Sequence, residues 1–285
     1  MIVVVGVTGN TGSALVGELV AAKAPFRAVA RDVARAKAML GPSAEVVRGD
    51  LDEPETLEPA LRGAERVFAA IGRTPNLVTN EKALIDAAAR AGVRHYVKLS
   101  GFHVAPDAPA MVQRAHAEIE AHLAASGMAR TILGGNFFFQ NFLGMAGAIA
   151  NGVMPAPTAD AKAAIVDTRD IARVAARVLT SDGHDGKRYV LTGGEALSHG
   201  DAAAIFSDVL KRPIRHVDVP PEGFAQGLEQ AGLPPWFTPI LTDVYVQLWK
   251  GGLAGELSGD VERLTGRAPT SLATFVRDHA ATFGG

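Results

Sequence analysis

Ile2-Val3-Val4-Val5-Gly6-Val7-Thr8-Gly9-Asn10-Thr11-Gly12-Ser13-Ala14-Leu15-Val16-Gly17 opens the chain. The first four apolar residues read as a buried strand, the glycine-spaced segment as a tight turn, and the apolar positions after it as the start of a helix. In a strand-turn-helix of this kind, backbone N–H groups at the helix N-terminus close on a phosphate. Glycine puts no Cβ in the way and the helix dipole favours negative charge. Gly6, Gly9 and Gly12 form a G-x-x-G-x-x-G pattern, with Thr8, Asn10 and Thr11 as further donors. The plainer alternative is a βα turn that holds no ligand; the position after the first strand and before the first helix favours the phosphate.

Outward from this turn, strands and helices alternate six times. Strands are predicted at Phe26–Ala30, Glu45–Arg48, Arg66–Ile71, Arg94–Ser100 and Ala129–Leu133, with helices ending near Lys23, Leu40, Leu61, Ala91 and Ser126. Such alternation predicts a parallel, doubly wound α/β sheet with ligands at the carboxyl ends of its strands. Beyond Leu133 the rhythm loosens. Gly134–Asn141 reads as a loop, 142–150 as helical, Val153–Pro157 as a break, Ala163–Val166 as a strand and Asp167–Leu179 as a helix. Tyr189–Thr192 is expected to rejoin the sheet, followed by helices near 199–210, 221–231, 235–250 and 270–282 and a strand at Ile214–Val219. The expected division is a Rossmann domain over 1–155, a return to the same sheet over 160–195, and a smaller, mostly helical lobe over 196–285.

The 285 residues are 48% hydrophobic and 20% charged, enough for a full-sized core. A net charge of −2 with dispersed Lys and Arg disfavours nucleic acid as a partner. With no cysteine there is no disulfide, thiolate ligand or cysteine nucleophile, so redox chemistry needs a bound cofactor. Met1 leads straight into a strand, and the most apolar tract, Phe137–Ala150, is interrupted by Gln140 and Asn141. No signal peptide or membrane span is expected, and the cytoplasm is the expected compartment. The eight histidines show no metal-ligand spacing.

The end of the second strand discriminates between nicotinamide cofactors. An acid there bonds the ribose 2′-hydroxyl, and a basic side chain pairs with a 2′-phosphate. The residue is Arg31, whose planar fork suits a phosphate, so NADP(H) is favoured over NAD(H). The alternatives are a solvated surface arginine and competition from Asp32. Asp50, after the third strand, is placed for the adenine amino group or for a turn. Leu51 beside it, and Ala70-Ile71-Gly72 after the fourth strand, share the carboxyl edge where the cofactor is expected.

The glycine pattern, Arg31, Gly49-Asp50-Leu51, His116-Ala117-Glu118-Ile119-Glu120, Thr131-Ile132-Leu133 with Asn136-Phe137-Phe138, Val166-Asp167-Thr168-Arg169-Asp170-Ile171-Ala172 and Leu191-Thr192-Gly193 together resemble the NmrA-like group of atypical short-chain dehydrogenases. The resemblance covers essentially the whole chain. It implies a Rossmann domain that binds NADP and a small C-terminal lobe that closes a substrate cleft over the nicotinamide. The group includes bacterial NADPH:quinone oxidoreductases and related reductases, and also cofactor sensors without catalysis. Ordinary short-chain dehydrogenases carry a Ser on the fifth strand and Tyr-x-x-x-Lys on the next helix. Aligned by Glu120, the Tyr position is Val112 and the Lys position His116, while Ser100 keeps the serine position. The usual Arg-Pro after the sixth strand is Gly134-Gly135.

These departures shape the chemistry expected. Oxidising an aliphatic alcohol reversibly needs a positioned base, whereas hydride transfer to a quinone gives a stabilised phenolate that water or a weak acid can protonate. His116 and Ser100 are the candidate catalytic groups, and Ser100 is also counted among the cofactor contacts. His116 could donate a proton or hold the nicotinamide ribose, or could simply pair with Glu120 one helical turn on. Of twelve Phe, two Trp and three Tyr, eight fall in two stretches expected to flank the cleft: Phe137, Phe138, Phe139, Phe142, Trp236, Phe237, Tyr245 and Trp249. They suit a flat apolar acceptor, or form core. Asn136 is expected near the nicotinamide and Gln140 near the acceptor, whereas Lys98, His103 and Asp167 read as structural. The sequence thus predicts an NADPH-dependent reductase of a small aromatic or conjugated acceptor such as a quinone. A non-catalytic NADP(H) sensor and a tailoring reductase acting on an enone or imine stand as alternatives, and a homodimer is compatible with the sequence.

Overall fold

The computed structural model describes residues 1–41, 44–72 and 74–285. The chain divides into two compact units. The first comprises Met1–Pro106, Ala115–Gly134 and Thr168–Val190, and the second Asp107–Arg114, Gly135–Asp167 and Leu191–Gly285.

In chain order the elements begin β1 (Ile2–Val5), α1 (Asn10–Ala21), β2 (Phe26–Ala30), α2 (Val33–Leu40), β3 (Glu45–Arg48), α3 (Leu57–Leu61), β4 (Arg66–Ala69), α4 (Leu77–Arg90), β5 (His95–Gly101), α5 (Met111–Ala125) and β6 (Ala129–Gly135). They continue with α6 (Ala146–Ala150), β7 (Val153–Ala156), α7 (Thr168–Thr180), β8 (Arg188–Leu191), α8 (His199–Leu210), β9 (Arg215–Asp218), α9 (Pro221–Gln230), α10 (Thr238–Val244), α11 (Asp260–Thr265) and α12 (Leu272–Asp278).

The first unit is built on a parallel seven-stranded sheet of order β3-β2-β1-β4-β5-β6-β8. β1 is central because Val3 and Val4 are fully buried and pair on both sides, Ile2 facing Phe26 in β2 and Arg66 in β4. Strands leave β1 in opposite directions, so the sheet has its topological switch point between the carboxyl ends of β1 and β4, where α/β proteins bind ligands. Its core packs Val3, Leu61, Val67, Leu84, Tyr96 and Leu123. This Rossmann arrangement is the one the alternating pattern predicts.

The second unit holds a two-stranded parallel ribbon, β7 with β9, under a core that includes Phe139, Phe142, Phe206, Trp249, Phe275 and Phe283. Three sequence expectations differ here. Val153–Pro157, read as a break, is a strand, because a ribbon edge tolerates Pro155, which lacks an N–H. Ala163–Val166, read as a strand, is extended and buried but not part of a ladder: its amides donate to Leu197, Ala254 and Phe137 in turn. The helix expected over 235–250 is α10 followed by a six-residue π turn, Tyr245–Lys250. Residues 135–167 also group with the C-terminal residues rather than with the sheet, since Phe137, Phe139, Phe142, Ile149 and Met154 belong to the second core. Among the described residues no helix is long and apolar enough to cross a membrane.

His199 lies in that second core. Its Nδ1 bonds Thr158 Oγ1 at 2.8 Å and its ring stacks on His216 and lies against Trp249. Burial, aided by His216, pushes its pKa down to about 3. Below its ordinary value of about 6.5, the unfolded chain binds a proton that the folded chain refuses, so stability falls as pH falls, by about 1.4 kcal/mol per pH unit for this group. Denaturant melts between pH 7 and pH 4 are expected to show this slope, and His199→Gln to flatten it.

Candidate functional site

The turn after β1 is closed backbone on backbone. The Gly9 amide donates to the Gly6 carbonyl at 3.1 Å, and the Ala70 amide at the end of β4 donates to the Val5 carbonyl at 3.2 Å. Gly6 has φ +90°, and a Cβ on it would overlap the Ala70 carbonyl oxygen; a Cβ on Gly12 would overlap that of Gly6. Both positions are therefore restricted to glycine by the chain's own packing. Gly9 caps α1 without a side chain, and no acidic residue stands in the first turn. The first-turn amides of α1 therefore have no side-chain cap, as an anion site requires. Thr8, Gly9 and Asn10 are exposed, while Thr11 is buried beneath them.

Along the same edge, Arg31 is exposed and has no hydrogen-bonding or ionic partner among the described residues. The neighbouring Asp32 is committed: its carboxylate caps α2 by accepting from the Arg35 amide at 2.9 Å. One oxygen of the acid beside Arg31 is thus taken up by the cap. Asp50 is buried, and one carboxylate oxygen accepts from the Asp52 amide at 3.1 Å, so it shapes a turn and keeps one oxygen for a ligand. Leu51, Ala70 and Ile71 are half-buried and Gly72 is exposed.

At the carboxyl end of β5, Ser100 is buried and donates to Glu120 Oε1 at 2.6 Å. Glu120 Oε2 is paired with the Arg188 guanidinium. The pairing of His116 with Glu120 is not seen: the Glu120 oxygens meet Ser100 and Arg188 instead. His116 Nδ1 is buried without a partner among the described residues. Burial foremost, then the Lys98 and Arg188 cations, hold its pKa well below the ordinary histidine value. At neutral pH it is an uncharged imidazole and not a ready proton donor. Lys98 is structural, as expected: its ammonium is fully buried against both Glu81 oxygens at 2.7 and 2.6 Å.

The second-unit candidates fare unevenly. Asn136 is consumed by the fold, donating to the Ala254 carbonyl at 2.8 Å and accepting from the Phe137 amide at 2.9 Å. Gln140 donates to the buried Asp167 at 2.9 Å. Phe137 and Tyr245 lie edge to face in the core, and Tyr245 stacks on Trp249. Phe138, Trp236 and Phe237 keep exposed surface. Sequence reasoning missed Arg188, which lies 68 residues from its partner Glu120 with no local pattern linking the two. Among the described residues no His, Asp or Glu cluster could hold a metal.

A Rossmann sheet with an uncapped glycine turn at its switch point defines a dinucleotide-binding α/β protein. The first-turn amides of α1, which no side chain caps, are the kind of donors that suit a pyrophosphate. The signature of the NmrA-like family matches residues 1–242, and the chain belongs to that family. It is 39% identical over 285 residues to an NAD(P)H azoreductase of Xenophilus azovorans, covering 100% of this chain and 99% of the other. It is 30% identical to quinone oxidoreductase 2 of Escherichia coli, covering 97% of each. The Escherichia coli NADPH-dependent quinone oxidoreductase QOR2 in complex with NADPH superposes with a TM-score of 0.89 at 28% identity, covering 99% of this chain and 100% of the other. The protein is an NAD(P)H-dependent oxidoreductase, and NADP(H) is its cofactor.

Gly12→Ala is expected to force the turn open, lowering stability by about 2 kcal/mol and weakening NADPH binding at least about tenfold. Thermal melts and calorimetry on the same preparation check both.

Proposed function

We propose that this reductase passes a hydride from NADPH to a small, flat, conjugated acceptor such as a quinone, and does so without a protein acid. The observation that carries this reading is the state of the groups around Ser100. The Ser100 proton is committed to Glu120, the imidazole of His116 is uncharged, and the family resemblance puts Val112 where a tyrosine would serve. A simple ketone reduced at such a site would leave a strongly basic alkoxide with no donor beside it. A quinone or azo compound delocalises the charge, and solvent protonates the product. The named relatives, an azoreductase and a quinone oxidoreductase, bear the names of acceptors of this kind.

When bound, the cofactor supplies the hydride from its nicotinamide ring. The chain supplies position. In this reading the first-turn amides of α1 with Thr8, Asn10 and Thr11 hold the pyrophosphate, Arg31 takes the 2′-phosphate, and Asp50 with Leu51 borders the adenine. Ala70, Ile71 and Gly72 line the path toward the nicotinamide. Phe138, Trp236 and Phe237 are assigned to the acceptor because they retain free aromatic surface.

Arg31→Ala is expected to raise the NADPH dissociation constant about tenfold or more and to change that of NADH less than about twofold. Equal effects on both would remove Arg31 from the 2′-phosphate site. NADPH oxidation is expected with naphthoquinones and azo dyes and not with aliphatic ketones; no turnover with any conjugated acceptor overturns the reading.

A further inference from the structure

Ser100, Glu120 and Arg188 come from β5, α5 and β8, and form one continuous chain of polar contacts. Ser100 donates its only proton to Glu120 Oε1 at 2.6 Å, and Arg188 Nη2 pairs with Oε2. Exposure rises along the chain: Ser100 is buried, Glu120 is 15% exposed at its side chain and Arg188 39%. Arg188 runs alongside β6, its Nη1 3.5 Å from where a Cβ on Gly134 would stand, an ordinary contact distance. Glu120 and Arg188 also line a cavity of about 360 Å³, so solvent reaches the outer end of the chain.

We propose that Arg188 and Glu120 are positioning residues that fix which way the Ser100 hydroxyl points, so that Ser100 presents only lone pairs to the bound cofactor. A hydroxyl has one proton and two acceptor sites. With the proton held by a carboxylate that is itself clamped by a guanidinium, the free lone pairs suit a donor on the cofactor, either the nicotinamide carboxamide N–H or a ribose hydroxyl. The inference rests on placing the nicotinamide at the carboxyl end of β5. It does not depend on which acceptor the enzyme reduces. Ser100 is thereby an acceptor in the site and no source of the product's proton.

A double-mutant cycle on NADPH affinity tests this by calorimetry, without turnover. Ser100→Ala and Glu120→Gln are each expected to raise the NADPH dissociation constant about fivefold, the worth of one hydrogen bond. The double variant should be no worse than either alone, because Glu120 acts only through Ser100. Arg188→Ala, at the more exposed end, should give a smaller loss that Arg188→Lys restores, and it keeps the test open should Glu120→Gln not fold. Additive losses would show that Glu120 acts independently of Ser100 and would overturn the proposal, as would Ser100→Ala and Arg188→Ala binding NADPH as the wild type does. Wild-type binding of NADPH without turnover of any acceptor would overturn the proposed reaction and leave the chain standing.

Discussion

The contact on which the first unit depends is backbone against backbone: the Gly6 segment pressed on the Ala70 carbonyl, with Gly12 pressed on Gly6. Nothing about it is a side-chain interaction, so no alternative residue can be fitted by repacking. Its effect is to bring the amino end of α1 down onto the carboxyl ends of β1 and β4, where the sheet reverses direction. The helix then begins with uncapped amides at the one place where a parallel sheet opens a crevice. The lack of a side-chain cap on α1 thus goes with how the chain closes its first turn.

Around that turn, neighbouring charges are assigned rather than left to compete. Asp32, the acid beside Arg31, gives one carboxylate oxygen to the cap of α2, and the guanidinium of Arg31 next to it is left exposed. The two signs separate because a carboxylate at an N-cap gains a backbone amide and a favourable helix dipole, which an arginine cannot. The separation of the two charges thus follows from local helix capping.

The sheet and its turn were legible in the sequence because their signals are local. Apolar runs, helical spacing and glycines at fixed offsets reported β1 through β6 to within a residue or two at most ends. The second unit was less legible for a physical reason. Ala163–Val166 sends its hydrogen bonds to three different segments, and Pro155 sits on a ribbon edge, so neither obeys a periodic rule. The site divides the same way: Arg31 and the glycines announce themselves, whereas Arg188 joins Glu120 only once β8 is laid beside β6.

That last pairing also explains why His116 departs from its expected role. A histidine one turn before a glutamate on a helix is ordinarily drawn to it, and the pairing raises its pKa. Here the Glu120 oxygens meet Ser100 and Arg188, and the cations of Lys98 and Arg188 disfavour charge on the ring. Desolvation then decides, and the imidazole is uncharged. Arg188 thus acts twice: it pairs with the carboxylate that accepts the Ser100 proton, and its charge joins that of Lys98 in keeping the nearby imidazole uncharged.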